Sequence, residues 1–252
     1  MRVIAHGKTD RGLVRKENED AFCIEEDLGL LAIADGMGGH ASGEVASKMA
    51  IEILKEFLEK EGQPLPERLS SGIKLANRTI YEAAQSQSQL NGMGTTLTAL
   101  QLDGNRLSIA HVGDSRAYLI RGGVIEQITD DHTIVSEQVA RGMMTKEEAA
   151  RSDMRNILSR ALGIASEVDV EELTVSEGDQ LVLCSDGLSE LISKDEILSE
   201  VQSTKRPDLA CNELVNLANQ RGGEDNVTVI VAHLHRENLL FRLLGILGWI
   251  RR

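Results

Sequence analysis

Four aspartates stand at the edges of apolar runs. Asp35-Gly36 follows LLAIA, Asp114 follows LSIAHVG, Asp186-Gly187 follows LVLCS, and Asp225-Asn226 precedes VTVIVA. Short apolar runs read as strands, strand ends bring distant positions together, and an adjacent Gly lets the backbone turn sharply. Carboxylates gathered this way repel one another, so they must be protonated or paired with cations. Hard cations such as Mg2+ and Mn2+ take oxygen ligands from carboxylates, carbonyls and water. A dinuclear site sharing such ligands is the economical reading. A single Asp-Gly is more often only a turn, but four of them beside a further acidic motif favour a metal centre. That motif is Arg15-Lys16-Glu17-Asn18-Glu19-Asp20. Alone it reads as a solvated charge run. Placed just before a strand, Glu19 and Asp20 can join Asp35 across the turn between AFCIE (21–25) and GLLAIA (29–34). Arg15 then offers a planar, two-pronged donor to a phosphate.

The elements that must position these groups follow from periodicity. Residues 2–34 read as strands, with a turn at Asp27-Leu28. Val45, Ala46, Met49, Ala50, Ile53, Leu54, Phe57 and Leu58 recur at three and four, which predicts a helix with one apolar face. Gly62, Pro64 and Pro66 end it, and a second helix is expected over about 66–87. Strands follow in TTLTALQL, NRLSIAHV, SRAYLI and GVIEQI, with Asp103-Gly104 and Gly122-Gly123 as hairpin turns. Residues 132–163 form an insert of different character, with two short helical stretches around 142–145 and a capping box from Thr145 to Glu148. Strands are expected at 168–175 and 180–185, helices at about 193–202 and 206–221, and a last strand over 226–234. Strands and helices are grouped rather than alternating. The fold class is therefore α+β, layered, with mainly antiparallel sheets.

Composition narrows the function. The chain has 252 residues, with 27 Lys and Arg against 40 Asp and Glu, a net charge of −13. This length suits one domain. The acidity opposes nucleic-acid binding, which needs a basic footprint. Any phosphate chemistry must draw its positive charge locally or from metal ions. Cys23, Cys184 and Cys211 match no zinc spacing and read as buried thiols of a cytoplasmic protein. No signal peptide is evident, and no run is long enough to span a bilayer.

Other chemistries fit poorly. Gly36-x-Gly38-x-x-Ala41 after a strand imitates a dinucleotide fingerprint, but the region that should hold a second strand and its acidic residue, 51–59, has helical periodicity. Gly7-Lys8-Thr9 lacks the upstream Gly of a phosphate loop, where Arg2 stands. None of the three cysteines has an Arg six positions on, and no Gly-x-Ser-x-Gly elbow is present.

Six motifs stand in one order: Arg15-x-x-Asn18-Glu19-Asp20, Asp35-Gly36-Met37-Gly38-Gly39, Gly92-x-Gly94-Thr95-Thr96, Val112-Gly113-Asp114-Ser115-Arg116, Ser185-Asp186-Gly187 and Glu224-Asp225-Asn226-Val227-Thr228. Over about residues 2–234 the chain resembles the type 2C metal-dependent protein serine/threonine phosphatases, in their compact bacterial form. The resemblance implies a central β-sandwich flanked by helices on both sides, in α-β-β-α layers, as a single catalytic domain over 1–235. It implies two Mn2+ or Mg2+ ions at one end, with a weaker third. Asp35 would bridge the two metals. Asp186 and Asp225 would complete one, Glu19 and the Gly36 carbonyl would serve the other, and Asp20 would support them from outside. Asp114, Asp186 and Glu190 would take the third ion, and Arg15 the substrate phosphate. The reaction implied is direct attack on phosphorus by a metal-bridging water, without a phosphoenzyme. The substrates implied are phosphoserine and phosphothreonine proteins, with a serine/threonine kinase as functional opposite. The alternatives are an inert metal-binding scaffold on the same fold, or a phosphatase of a small anti-sigma-antagonist regulator.

One departure stands out. Many relatives carry His where this chain has Met37, which cannot protonate a leaving group; His40 is a candidate substitute, and the general acid stays unassigned. The insert at 132–163 resembles the family's flap, beside the site. Its residues 141–160 carry five basic and three acidic groups, a net +2. They read equally as solvated helix faces or as an attraction for acidic phosphopeptides. Residues 236–252 form an apolar tail with four Arg against one Glu, leaving −16 for residues 1–235. As a helix the tail would lie on a membrane surface, dock on a partner or pack on its own domain. The chain is expected to be a monomer.

Overall fold

The computed structural model describes residues 1–38, 42–60, 67–164 and 167–236. His40, the expected stop signals at 62–66 and the tail beyond Arg236 lie outside the described residues. Eleven strands are described: β1 (Arg2–Asp10), β2 (Asp20–Glu25), β3 (Leu30–Met37), β4 (Gly94–Thr95), β5 (Leu97–Asp103), β6 (Arg106–Val112), β7 (Arg116–Arg121), β8 (Val124–Gln127), β9 (Asp169–Thr174), β10 (Gln180–Cys184) and β11 (Val227–His235). The helices are α1 (Ser42–Lys60), α2 (Glu67–Ser86), α3 (Ile134–Ala140), α4 (Lys146–Ala150), α5 (Asp186–Ser189), α6 (Lys194–Thr204) and α7 (Pro207–Gln220).

The strands form two sheets. One has the order β1-β11-β10-β7-β8, and the other β2-β3-β5-β6-β9 with β4 paired to β3. Every strand pairing is antiparallel, as the grouped order of elements predicts. The tight connections fall where Gly predicted them. Arg121 pairs with Val124 across Gly122 and Gly123, both at positive φ, which suits a two-residue hairpin loop.

Side-chain alternation explains the layering. Along β3, Leu31 and Ile33 face the other sheet, joining Leu100 and Ile109 of their own sheet in a core with Leu183 and Ile230 of the facing one. Leu30, Ala32 and Ala34 face the opposite way, against Ala46, Ala50 and Leu54 of α1. In β11, Ile230, Ala232 and Leu234 join the inter-sheet core, while Val227, Val229 and Val231 pack under α6 and α7. Both strands are thus covered on two faces, so LLAIA and VTVIVA read as unbroken apolar runs. The small Ala32, Ala34, Ala99 and Ala110 on the outer face let α1 and α2 lie close. The large helix residues Leu54 and Leu58 are fully buried, each worth about 1.5–3 kcal/mol by transfer. The result is the α-β-β-α sandwich.

Two elements differ from the sequence reading, whereas β9 falls where a strand was expected. β3 does not stop before Asp35 but runs to Met37, because Gly36 and Met37 pair with Thr95 and Gly94. Asp186 does not sit in a plain turn but opens the short helix α5. β9 is paired only with β6, and its residues Asp169, Glu171 and Glu172 are exposed, charges that discourage pairing at an open sheet edge. Residues 51–59, where a dinucleotide fold needs a strand, lie inside α1.

At the candidate site the start of α5, just after β10, lies against the backbone just before the neighbouring strand β11, with no room for a side chain. A Cβ on Gly187 would lie 2.0 Å from the Asn226 carbonyl oxygen. Gly187→Ala is therefore expected to destabilise the fold by about 1–3 kcal/mol, read as a lower urea midpoint with an unchanged m-value.

Candidate active site

Register brings the first two carboxylates together. Glu25 pairs with Leu30, and five further steps of antiparallel pairing place Asp20 directly opposite Asp35. Asp114 leaves the end of β6, Asp186 follows β10, and Asp225 precedes β11. Asp20, Asp114, Asp186 and Asp225 all act on Asp35, and burial together with these neighbours holds the Asp35 carboxyl well above the usual carboxylate range. Burial pushes Asp20 up to about 7, with Asp186 and Asp225 adding to it. It pushes Asp114 to about 8, with Asp186 and Asp131 reinforcing the rise and Arg116 opposing it. Asp186 rises to about 6 through burial, Asp225 and Glu190, against a hydrogen bond with the Asp35 carboxyl. Glu19 is raised by burial, countered by Arg15. The structure therefore gathers Asp20, Asp35, Asp114, Asp186 and Asp225, with Glu190 against Asp186 and Glu19 beside Asp225 and Arg15.

A frame of hydroxyls and amides sets these groups in place. Ser185 Oγ and Thr228 Oγ1 both donate to Asp20 Oδ2, at 2.9 and 2.6 Å. Asp35 N–H donates to Thr96 Oγ1 at 2.9 Å, and Asp35 O accepts from Thr96 N–H at 2.9 Å and from Thr95 Oγ1 at 2.8 Å. Asn226 accepts from Glu19 N–H at 2.8 Å and donates through Nδ2 to the Arg11 and Glu17 carbonyls at 3.0 and 2.9 Å. One side chain thus fixes the whole acidic loop against β11. Ser47 Oγ and Gly36 N–H donate to the Glu19 carbonyl. Gly36 has no space for a side chain, since a Cβ would meet the Gly43 and Glu19 carbonyl oxygens at 2.2 and 2.5 Å. The motifs quoted Asn226, Thr95, Thr96, Ser185 and Thr228, but their supporting role depends on contacts between distant positions and was missed.

Arg15 is placed on a carboxylate. Its Nη2 donates to Asp225 Oδ2 at 2.6 Å, with about half of the Arg15 side chain exposed. The insert reaches the site at its end, where Leu162 and Thr95 exchange backbone hydrogen bonds. At its start, His132 N–H donates to the Gly113 carbonyl, and Gly113 N–H donates to His132 Nδ1. This fixes the tautomer: Nε2 carries the proton and donates to Asp169 Oδ2 at 2.9 Å. Arg160 Nη1 donates to the other Asp169 oxygen at 2.8 Å. Asp169 therefore ties both ends of the insert together, a role the sequence did not signal. Arg160 and Arg141 are engaged by Asp169 and Glu137, which leaves less of the insert's positive charge facing outward. Met37 packs beside Gly94, where a Cβ would lie 2.7 Å from Met37 Cε.

The donor set suits hard divalent cations. It is all oxygen, it concentrates negative charge, and Asp20 Oδ1 and Asp186 Oδ1 are buried with no hydrogen-bond partner. Native proteins rarely leave such atoms unpaired without a functional reason. Among the described residues no three His, Cys, Asp or Glu side chains form a ready-made metal cage. Instead, Asp225 turns to Arg15 and Asp20 to the two hydroxyls.

The raised carboxyls give a pH signature. Unfolding returns Asp186, Asp20 and Asp114 from about 6, 7 and 8 to near 3.8. The folded chain then holds more protons between these limits, so its stability falls as pH rises through them. The melting temperature of chelator-treated protein is expected to drop by several degrees from pH 5 to pH 8.5. Mn2+ is expected to raise it most at the alkaline end; a flat profile in chelator would contradict the carboxylate cluster.

Known proteins place this geometry in a family. The family model for protein phosphatase 2C matches residues 12–220. The serine/threonine protein phosphatase PstP of Mycobacterium tuberculosis is 44% identical over 229 residues, which is 89% of this chain and 44% of that protein. The chain thus spans less than half the length of that relative. The serine/threonine phosphatase stp of Listeria monocytogenes is 37% identical over 237 residues, covering 90% of this chain and 94% of the relative. The crystal structure of PstP from M. tuberculosis superposes with a TM-score of 0.88 at 42% identity, over 94% of this chain and all of that one. A structure of the PstP catalytic domain in complex with two manganese ions gives 0.85 at 41% identity, over 93% of this chain and 99% of that one. By sequence match and by fold, the chain belongs to the protein phosphatase 2C family.

Proposed function

We propose that the chain is a metal-dependent protein phosphatase that hydrolyses phosphoserine and phosphothreonine in proteins. The observation that carries this reading is the convergence of five aspartates, two with buried unpaired oxygens, beside Arg15. Family membership and the two manganese ions of the PstP complex support it. In this reading Asp35 would serve both of two Mn2+ or Mg2+ ions. Asp186 and Asp225 would complete one site, and Glu19 with the Gly36 carbonyl would complete the other. Asp20 braces the centre from its hydroxyl pair. Asp114, Asp186 and Glu190 would provide for a weaker third ion, consistent with Asp186 acting on Asp114 and Glu190 acting on Asp186. Such cations lower the pKa of coordinated water toward neutrality and so supply a nucleophile.

The protein's own groups do the rest. Arg15 exchanges Asp225 for the substrate phosphate and offers its planar fork to the non-bridging oxygens. The frame from Thr96, Ser185, Thr228 and Asn226 keeps the carboxylates from swinging apart, which preserves alignment for in-line attack. Met37 gives no proton to the leaving oxygen. The substrates are phosphoproteins and the functional counterpart is a serine/threonine kinase. An inert scaffold is not favoured. Among the described residues no helix is long and apolar enough to cross a membrane.

Purified protein with Mn2+ is expected to hydrolyse p-nitrophenyl phosphate and a phosphothreonine peptide, and to lose activity with chelator. Asp35→Asn and Asp186→Asn are each expected to lower kcat by about a thousandfold or more. Arg15→Ala is expected to raise KM more than it lowers kcat. A wild-type protein that binds Mn2+ but turns over neither substrate would overturn the proposal.

A further inference from the structure

The loop between β1 and β2 carries two adjacent aliphatic side chains in solvent. Leu13 is 67% exposed and Val14 is 66% exposed, in a segment whose other side chains include Arg11, Arg15, Lys16, Glu17 and Glu19. Single exposed apolar residues are ordinary. Two in succession, on a loop fixed in place at the edge of a site, call for a reason.

This loop is fixed in place. Leu13 N–H and Val14 N–H both donate to the Gly223 carbonyl, at 2.8 and 3.3 Å. Gly12 has a φ of +77°, and a Cβ there would lie 2.3 Å from the Asp225 carbonyl oxygen, so only glycine allows this approach. Arg11 Nη1 closes the loop on the Lys16 carbonyl. The backbone donors are thus engaged at Gly223, and the aliphatic pair is left as an exposed shelf on the loop that carries Arg15. Val14 directly precedes Arg15, whose guanidinium sits on Asp225, and neighbouring Cα atoms are about 3.8 Å apart. A phosphoresidue held by Arg15 brings its chain neighbours to this shelf.

We infer that Leu13 and Val14 dock an aliphatic side chain within two residues of the phosphorylated Ser or Thr, and so set a sequence preference. The inference rests on the phosphatase reading above. An aliphatic neighbour buries apolar surface on both partners, whereas a polar neighbour loses hydration for no return. The charges along the loop are mixed, so they select weakly between acidic and basic neighbours.

The test compares three substrates: p-nitrophenyl phosphate, a phosphothreonine peptide with leucine at the two positions on each side, and its counterpart with serine there. The wild-type chain is expected to favour the leucine peptide by about tenfold in kcat/KM, mostly through KM. The Leu13→Ser/Val14→Ser variant is expected to lose this preference while keeping p-nitrophenyl phosphate turnover within about twofold. Leu13→Ile/Val14→Ile is expected to retain it. A wild type that treats both peptides alike, or a serine variant that still discriminates, overturns the docking role alone. A serine variant that loses p-nitrophenyl phosphate turnover also overturns it, since the shelf would then be part of the Arg15 support. A wild type inactive on all three substrates would overturn the phosphatase reading itself.

Discussion

Repulsion among five aspartates is the constraint around which this fold is arranged. Asp35 feels Asp20, Asp186, Asp114 and Asp225 at once, in surroundings that already penalise charge. Such a cluster costs stability unless protons or cations neutralise it. A flexible loop would relieve the strain by letting the carboxylates drift apart. Here Asp20 and Asp35 are fixed opposite each other on adjacent strands, and Asp186 and Asp225 flank two paired strands of the other sheet. The sandwich therefore supplies the rigidity the charge pattern requires. Its energy comes from the inter-sheet aliphatic core and the two helix-covered outer faces.

Fine positioning is left to groups with no charge. Thr228 and Ser185 connect the two sheets through one Asp20 oxygen, and they also bond each other through Ser185 Oγ and the Thr228 amide. Asn226 performs a similar task for the acidic loop. Neutral donors suit this role because they orient a carboxylate without neutralising it. A Lys or Arg in place of Ser185 or Thr228 would pair with Asp20 and cancel the field that recruits a cation. Arg15 sits at the exposed edge of the cluster instead, and Arg116, near Asp114, is held by Asp131.

How much of this the sequence disclosed depends on the range of each interaction. The sheets, the long helices and the Thr145–Glu148 capping box follow from local pattern, and the box is present as read. The gathering of aspartates was legible because strand ends recur with a single chemistry. The end of β3 was not, since its extension to Met37 depends on β4, more than fifty residues away. The short helix at Asp186 was hidden because an Asp-Gly reads as a turn. The clamp of Asp169 on His132 and Arg160 joins residues from both ends of the insert, and nothing in their own neighbourhoods marks them. The Leu13–Val14 shelf was overlooked for the opposite reason. Beside a conspicuous charge motif, two aliphatic residues look like the start of a strand, and only their exposure shows that they are not.

The pairing of Arg15 with Asp225 bears on how an acidic protein handles a phosphate dianion. The contact is short, at 2.6 Å, but about half of the Arg15 side chain is in solvent, and exposed ion pairs of this kind contribute only about 0–1 kcal/mol. The pair therefore breaks easily. Under the proposed function, Arg15 would gain by moving to a phosphate, which offers more oxygens and more charge than one carboxylate. Asp225, once released, would be free to join Asp186 in facing a cation. The two events would then favour each other, because a bound cation would draw Asp225 away from Arg15 and a bound phosphate would draw Arg15 away from Asp225. In this arrangement the net charge of −13 is no obstacle to phosphate. In the proposed reading the carboxylates would hold Arg15 in reserve and give it up when cation and substrate arrive together.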